Sequence, residues 1–154
     1  MPGTFAESPE SPGMLYQCNR KKGWNATDIE VEGWDNSLPE GTAWYAKNDP
    51  CPIGWRIPTQ KELQSLVDTN SEWINQNDIY GRIFGTAPSQ VFLPAVGFRS
   101  NRSGVLHHAG VLGTYWNNTQ FTYATAWYLM IGSYGSGVSN NWQANGYSIR
   151  CVAK

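Results

Sequence analysis

Glycine limits how long any regular element in the second half of this chain can be. From Gln90 onward it breaks the sequence into apolar runs, VFLPAVGF, GTYWNN, ATAWYLMIG and GYSIRCVA, each of strand length. Four strands are expected there. Between them lie RSNRSG, NTQFTY and SYGSGVSNNWQANG, rich in Asn, Ser, Thr, Gly and aromatic residues, and these read as loops.

The first half is punctuated in the same way but holds the best helix signal. GMLYQCNRKKGW and GWDNSLPEGTAWYA read as turns and short strands that stop at NDPCP. In TQKELQSLV, Thr59 and Glu62 have the spacing of a capping box, and Leu63, Leu66 and Val67 form one apolar stripe. A helix over about 60–68 follows. A second short helix is expected from Ser71, with Glu72 in its first turn and Trp73 and Ile74 turned inward. The 154 residues suffice for one domain burying about 70 % of its unfolded surface, and 16 Gly and 9 Pro make it loop-rich.

Charge is unevenly placed along the chain. All twelve acidic residues lie between Glu7 and Asp78, so residues 1–78, with six basic residues, carry −6. Residues 79–154 hold only Arg82, Arg99, Arg102, Arg150 and Lys154, a charge of +5. Five cations spread over that length do not make the clustered basic face that nucleic acid requires, so no nucleic-acid partner is expected. The first residues lack the basic and apolar regions of a secretion signal. No apolar run approaches the ~20 residues of a membrane helix, and no membrane insertion is expected.

Chemistry has few residues to draw on. Cys18, Cys51 and Cys151 lack the close pairing of a zinc site. A bridge between Cys51 and Cys151 would close a loop of about a hundred residues, stabilising by ~4–5 kcal/mol in the chain-entropy model; three buried reduced thiols are the other reading. His107 and His108 could ligate a metal, but neighbours in an extended segment point to opposite faces, and exposed loop histidines are the expectation. No nucleophile elbow, phosphate loop or dinucleotide fingerprint is present. The glycosylation triplets at Asn25, Asn101 and Asn117 arise readily in Asn-rich loops. No metal, no cofactor and no enzymatic activity are expected.

What remains is composition. Residues 99–149 combine rigid aromatics with Asn, Ser, Thr and Gly, the mixture that binding loops use for large contact area at low entropy cost. The charge-free stretch WNNTQFTYATAWYLM at 116–130 carries five aromatic rings and raises the choice between core and contact surface. Trp116, Ala126, Trp127 and Leu129 read as framework. Phe121, Tyr123, Tyr128 and Met130 read as the exposed alternates.

The segments NDPCPIGWRIPTQKELQSL, FLPAVGFR, AGVLGTYWNN and GYSIRCV resemble, in order and spacing, the Fibrobacter succinogenes major paralogous domain, a module of Bacteroidales and their phages. PGTFAESPESPGMLYQCNRKKGW is similar to that family's N-terminal half, so the resemblance spans nearly the whole chain. It implies an α+β fold of the C-type-lectin or formylglycine-generating-enzyme kind, with two short helices and a twisted antiparallel sheet carrying long loops. It also implies that Cys51 and Cys151 are the family's bridged pair, and that Cys18, standing where an aromatic is expected, is a spare thiol. Calcium-dependent lectins bind through Glu-Pro-Asn and Trp-Asn-Asp motifs. Here only WNN at 116–118 is similar, with no acidic residue nearby, so that route is not expected.

Part of that family resembles the variable proteins of diversity-generating retroelements, in which template adenines are randomised as they are copied into the gene's 3′ end. The resemblance implies a scaffold half, 1–98, and a variable ligand-binding half, 99–154. Its implied variable positions are Ser100, Asn101, Arg102, His107, His108, Val111, Thr114, Phe121, Tyr123, Tyr128, Met130, Gly132, Tyr134, Asn140, Asn141 and Trp142. Met130 and Trp142 lie beyond the reach of Asn codons. The implied role is non-enzymatic binding of a cell-surface protein or glycan, by a phage tail fibre on the virion or by a bacterial surface adhesin. The alternatives are an undiversified pilus-tip or adhesin module, and an enzyme of the formylglycine-generating type, for which one cysteine would be left beside the bridge.

Overall fold

Thr59 opens the helix as its capping box dictates. In a computed structural model that describes residues 5–39 and 44–154, its hydroxyl accepts from the Glu62 amide at 3.2 Å, and the Glu62 carboxylate accepts from the Thr59 amide at 2.8 Å. Helix α1 runs Gln60–Val67, with Asp68 as its C-cap. Leu63 is buried and Leu66 and Val67 pack beside it, so the apolar stripe faces inward.

The second expected helix is a strand. Ser71–Gln76 pairs antiparallel with Ile79–Thr86, which in turn pairs with Ser89–Pro94. The reason lies in the turn: Asn77 and Asp78 both take positive φ, +50° and +66°, the two-residue geometry that matches strand twist. That local signal outweighs the short apolar pair Trp73 and Ile74. The expected α+β arrangement with two helices is therefore overturned. Among the described residues there are one α-helix, one 3-10 turn at Ala46–Asn48 and twelve strands in five small antiparallel sheets, which makes the fold mainly β.

In chain order the strands are β1 (Met14–Tyr16), β2 (Gly23–Asn25), β3 (Trp55–Arg56), β4 (Ser71–Gln76), β5 (Ile79–Thr86), β6 (Ser89–Pro94), β7 (Phe98–Arg99), β8 (Leu106–His107), β9 (Gly113–Gln120), β10 (Thr125–Gly132), β11 (Gly135–Trp142) and β12 (Val152–Ala153). The sheets are β1–β2, β3–β12, β4–β5–β6, β7–β8 and β9–β10–β11. Two strand expectations change. VFLPAVGF is split, because Gly97 at φ +80° turns the chain where a Cβ would strike the carbonyl of His107. GSGVSNNW, read as a loop, is β11, aligned residue by residue with β10 from Thr125↔Trp142 to Gly132↔Gly135. GYSIRCVA is regular only at its end, its earlier residues making single bridges to Tyr16 and Tyr115. The segment GWDNSLPEGTAWYA lies partly outside the described residues; its described part holds no strand.

The sheet β9–β10–β11 is the centre of the molecule. Its one face packs Tyr115, Leu129 and Ile131 against Leu63, Phe84 and Leu93. Its other face packs Trp116, Ala126 and Tyr128 against Cys18 and Tyr147. Each such large buried side chain contributes ~1.5–3 kcal/mol by leaving water. Both clusters join residues before and after position 98. The Cys51–Cys151 disulfide, spanning 100 residues, ties the turn before β3 to the segment leading into β12, and Cys18 is the free, buried thiol. Among the described residues no helix is long and apolar enough to cross a membrane.

Candidate functional site

The surface loops of residues 99–149 are held from beneath by buried polar side chains. Arg99, fully buried, donates to the carbonyls of Asn25 at 2.7 and 3.0 Å, Asp28 at 2.8 Å, Ile29 at 3.4 Å and Gly104 at 2.8 Å. One guanidinium thus joins the 25–29 loop to the 100–104 turn. Burial lowers its pKa, with Asp28 acting in the opposite direction, and its five N–H groups find the acceptors that a buried cation needs.

Three further groups repeat this design. Gln143, 1 % exposed, donates to the carbonyls of Thr122 and Thr125 at 3.1 and 3.2 Å and so fastens the loop that presents Phe121 and Tyr123. Arg82 donates to the carbonyls of Gly132 and Ser133 and to the Ser71 hydroxyl, holding the β10–β11 turn that presents Tyr134. Asn145 accepts from the Asn101 amide at 2.8 Å and donates to the Tyr147 hydroxyl at 3.1 Å. The sequence gives none of these four a bracing role: Arg82 and Arg99 enter there only as scattered charges, and Gln143 and Asn145 not at all. Their only signal was a polar or cationic residue inside an otherwise apolar or glycine-bounded run.

Thirteen of the sixteen implied variable positions are exposed or half-buried; Thr114, Tyr128 and Gly132 are buried. Thr114 donates to the Gly97 carbonyl at 3.3 Å, and Gly132 gives its carbonyl to Arg82. Tyr128 is 6 % exposed, against Tyr147 at 4.7 Å between centroids, whereas Trp127 is half-buried with Phe121 edge-on at 4.9 Å. This reverses the alternation expected for the pair. The cause is tertiary: the segment carrying Tyr147 covers the Tyr128 side of β10, while Trp127 stands at the strand end beside an open loop.

The exposed positions fall into groups set by strand parity. On the Tyr128 side lie Met130 and, through the register with Ala126, Asn141. His107 and His108 join them through Phe98, whose ring lies 5.7 and 5.8 Å from theirs and 6.0 Å from Tyr147. The two histidines do not point to opposite sides. His108 takes φ +58°, which turns its ring back, and the imidazole centroids are 6.2 Å apart. On the other side, Asn140 pairs with Trp127 and Trp142 with Thr125, near exposed Phe121 and Tyr123. Ser100, Asn101 and Arg102 occupy the turn above Arg99, and Val111 tips the loop after His108.

Electrostatics follows burial. Tyr147 is pushed well above the usual phenol range by burial first and then by Tyr128, with Asn145 pulling the other way. Tyr134 is raised by partial burial and by Tyr128, against Arg82, which places it near the same cluster. Among the described residues no group of three or more His, Cys, Asp or Glu side chains is placed to hold a metal ion. Asn117, one of the glycosylation triplets, is fully buried, and its carboxamide oxygen accepts from the Thr119 amide at 2.8 Å.

Fold and surface together define a disulfide-closed, mainly-β module whose polar-aromatic loops are braced from below. No family model, no curated protein and no solved structure matches the chain.

Proposed function

We propose that this chain is a non-enzymatic ligand-binding module whose changeable surface holds a cell-surface protein or glycan, as the tip of a phage tail fibre or of a bacterial surface adhesin. The observation that carries the reading is a division between the central sheet and the surface around it. Thirteen of the sixteen positions, on strand edges, turns and loops, are exposed or half-buried, while Trp116, Leu129 and Ile131 of the central sheet have no exposed surface. Substitution above such a framework leaves packing below intact, as diversification requires. Phe121, Tyr123, Tyr134 and Trp142, each more than half exposed, supply rigid contact area, and the neighbouring Asn residues supply orientation. The resemblance to retroelement-diversified domains supports the same reading. Against the enzyme alternative stands Cys18: burial raises its thiol to about 12, leaving almost no thiolate for chemistry.

Two measurements test the proposal. The DNA beside the gene is expected to hold a near-copy of its 3′ end that differs only at adenines, next to a reverse transcriptase; a gene without one is an undiversified adhesin module. A displayed library randomised at the thirteen surface positions is expected to stay protease-resistant and to yield binders to bacterial surface extracts. Wholesale unfolding of that library would sink the division between scaffold and surface.

A further inference from the structure

We propose that a second site, in the first half of the chain, binds an anionic saccharide: a sugar chain bearing sulfate or carboxylate groups. Residues 1–78 carry a net charge of −6 with only six basic side chains. Four of those six, Arg20, Lys21, Lys22 and Lys47, line a single cleft of about 680 Å³ beside β2. Lys21 also borders a second hollow of about 400 Å³, whose wall carries Arg56 and Lys154. Together they make a cationic groove on an otherwise acidic half.

Both carboxylates among the described lining residues are already committed. Asp35 accepts from Arg20 at 2.7 Å and from the Ser37 amide and hydroxyl at 2.9 and 2.6 Å. Asp49 accepts from the amides of Cys51 and Ile57 at 2.8 and 3.2 Å. Lys21, Lys22 and Lys47 make no ion pair among the described residues. Three exposed ammonium groups in one concave site attract an anion more strongly than they would on a convex surface, because the field is focused.

Ring accessibility selects the ligand class. Single-stranded nucleic acid needs open aromatic platforms on which bases stack. Trp24 is 6 % exposed and the Lys22 ammonium sits 3.9 Å from its ring centroid, so its face is taken. Each hollow has one open ring among the described residues, Tyr45 at 39 % with the Lys47 ammonium 5.8 Å from its centroid and Trp55 at 47 %, fewer than a run of stacked bases uses and enough for a sugar ring to lie against. The remaining lining, with Asn48 and Ser37, offers amide and hydroxyl groups suited to sugar hydroxyls. Hollows of about 680 and 400 Å³ that share Lys21 leave room for several linked rings rather than one.

Calorimetric titration of the full chain tests this with a sulfated hexasaccharide, a hexauronate, a neutral hexasaccharide and a short oligothymidylate. At least one anionic sugar is expected to bind, the two arms telling sulfate from carboxylate, and to weaken as salt rises from about 50 to 200 mM. The variant K21Q/K22Q/K47Q is expected to bind it at least ~10-fold more weakly at unchanged melting temperature. F121A/W142A, which addresses the surface of the preceding proposal, is expected to bind it like the parent chain. No binding of either anionic sugar, equal binding by the triple variant, loss in F121A/W142A, or tighter binding of the oligothymidylate each overturns the site.

Discussion

Tyr128 of β10 stands opposite Trp116 of β9, their rings meeting edge to face with centroids 6.3 Å apart. Trp116 also donates from its indole nitrogen to the Tyr16 carbonyl at 2.7 Å. The pair is therefore core, tied to the N-terminal segment. Trp116→Ala and Tyr128→Ala are each expected to cost about 3–5 kcal/mol in urea unfolding. Tyr134→Ala and Trp142→Ala, at exposed positions, are expected to stay within ~0.5 kcal/mol. Equal losses in the two sets contradict the division.

Arg99 has a different kind of importance. Arg99→Met keeps much of the side-chain volume but takes the guanidinium from the carbonyls of Asn25, Asp28 and Gly104, while that of Ile29 keeps the Leu106 amide at 2.8 Å. At ~1–3 kcal/mol for each buried unpaired group, partly relieved by water, a loss above ~3 kcal/mol is expected. Hydrogen exchange should show the 25–29 and 100–104 loops opening first. Unchanged protection there would refute the bracing role.

The long disulfide makes a prediction about the unfolded chain. A closure of 100 residues lowers denatured-state entropy by an amount worth ~4–5 kcal/mol in the loop model. Reduction, or the pair C51A/C151A, is expected to lower the melting temperature by about 8–20 °C. A calorimetric scan of both forms measures it.

Cys18 supplies a probe of global opening. Its thiol is buried, with a pKa raised to about 12, so a thiol reagent at pH 8 is expected to modify it only after unfolding. Stoichiometric labelling of the native protein within minutes would contradict that burial.

Glu62 makes one part of stability pH-dependent. Donation from Arg56 to both carboxylate oxygens, at 2.7 and 2.8 Å, and from the Thr59 amide holds its pKa at about 2, from an ordinary 4.5. A depressed folded value gives stability that is present above pH 4.5 and lost as pH falls toward 2. The two side chains are 33 % and 40 % exposed, so solvent screening leaves only about 0.5–1 kcal/mol. Glu62→Gln is expected to lose that amount at pH 7 and to match the parent near pH 2. A constant difference across that window would assign the effect elsewhere.

Local chemistry made parts of the fold readable in advance. The Thr59–Glu62 box acts within four residues, so α1 was legible to within one residue. The strands β9 and β10 were legible because glycine bounds a short apolar run at each. By contrast, β4 was misread as a helix because Trp73 and Ile74 fit either period, and the decision lay in positive φ at Asn77 and Asp78. β11 was missed because GSGVSNNW has almost no apolar content; its partner β10 makes it a strand. At the candidate site, exposure of Phe121, Tyr123 and Trp142 followed from loop chemistry, but the exchange of roles between Trp127 and Tyr128 did not.

By itself the amino-acid sequence determined the short, glycine-bounded elements, the helix cap, the sign of charge in each half and the polar-aromatic character of residues 99–149. These depend on neighbours in the chain. Only the tertiary structure decided which side of β10 is covered, that Arg99, Arg82 and Gln143 brace the loops, and that scattered lysines of an acidic half share one cleft. Each of those depends on groups tens of residues apart that meet because burial and hydrogen bonding act through space, and strand parity is set by whichever segment comes to lie on top.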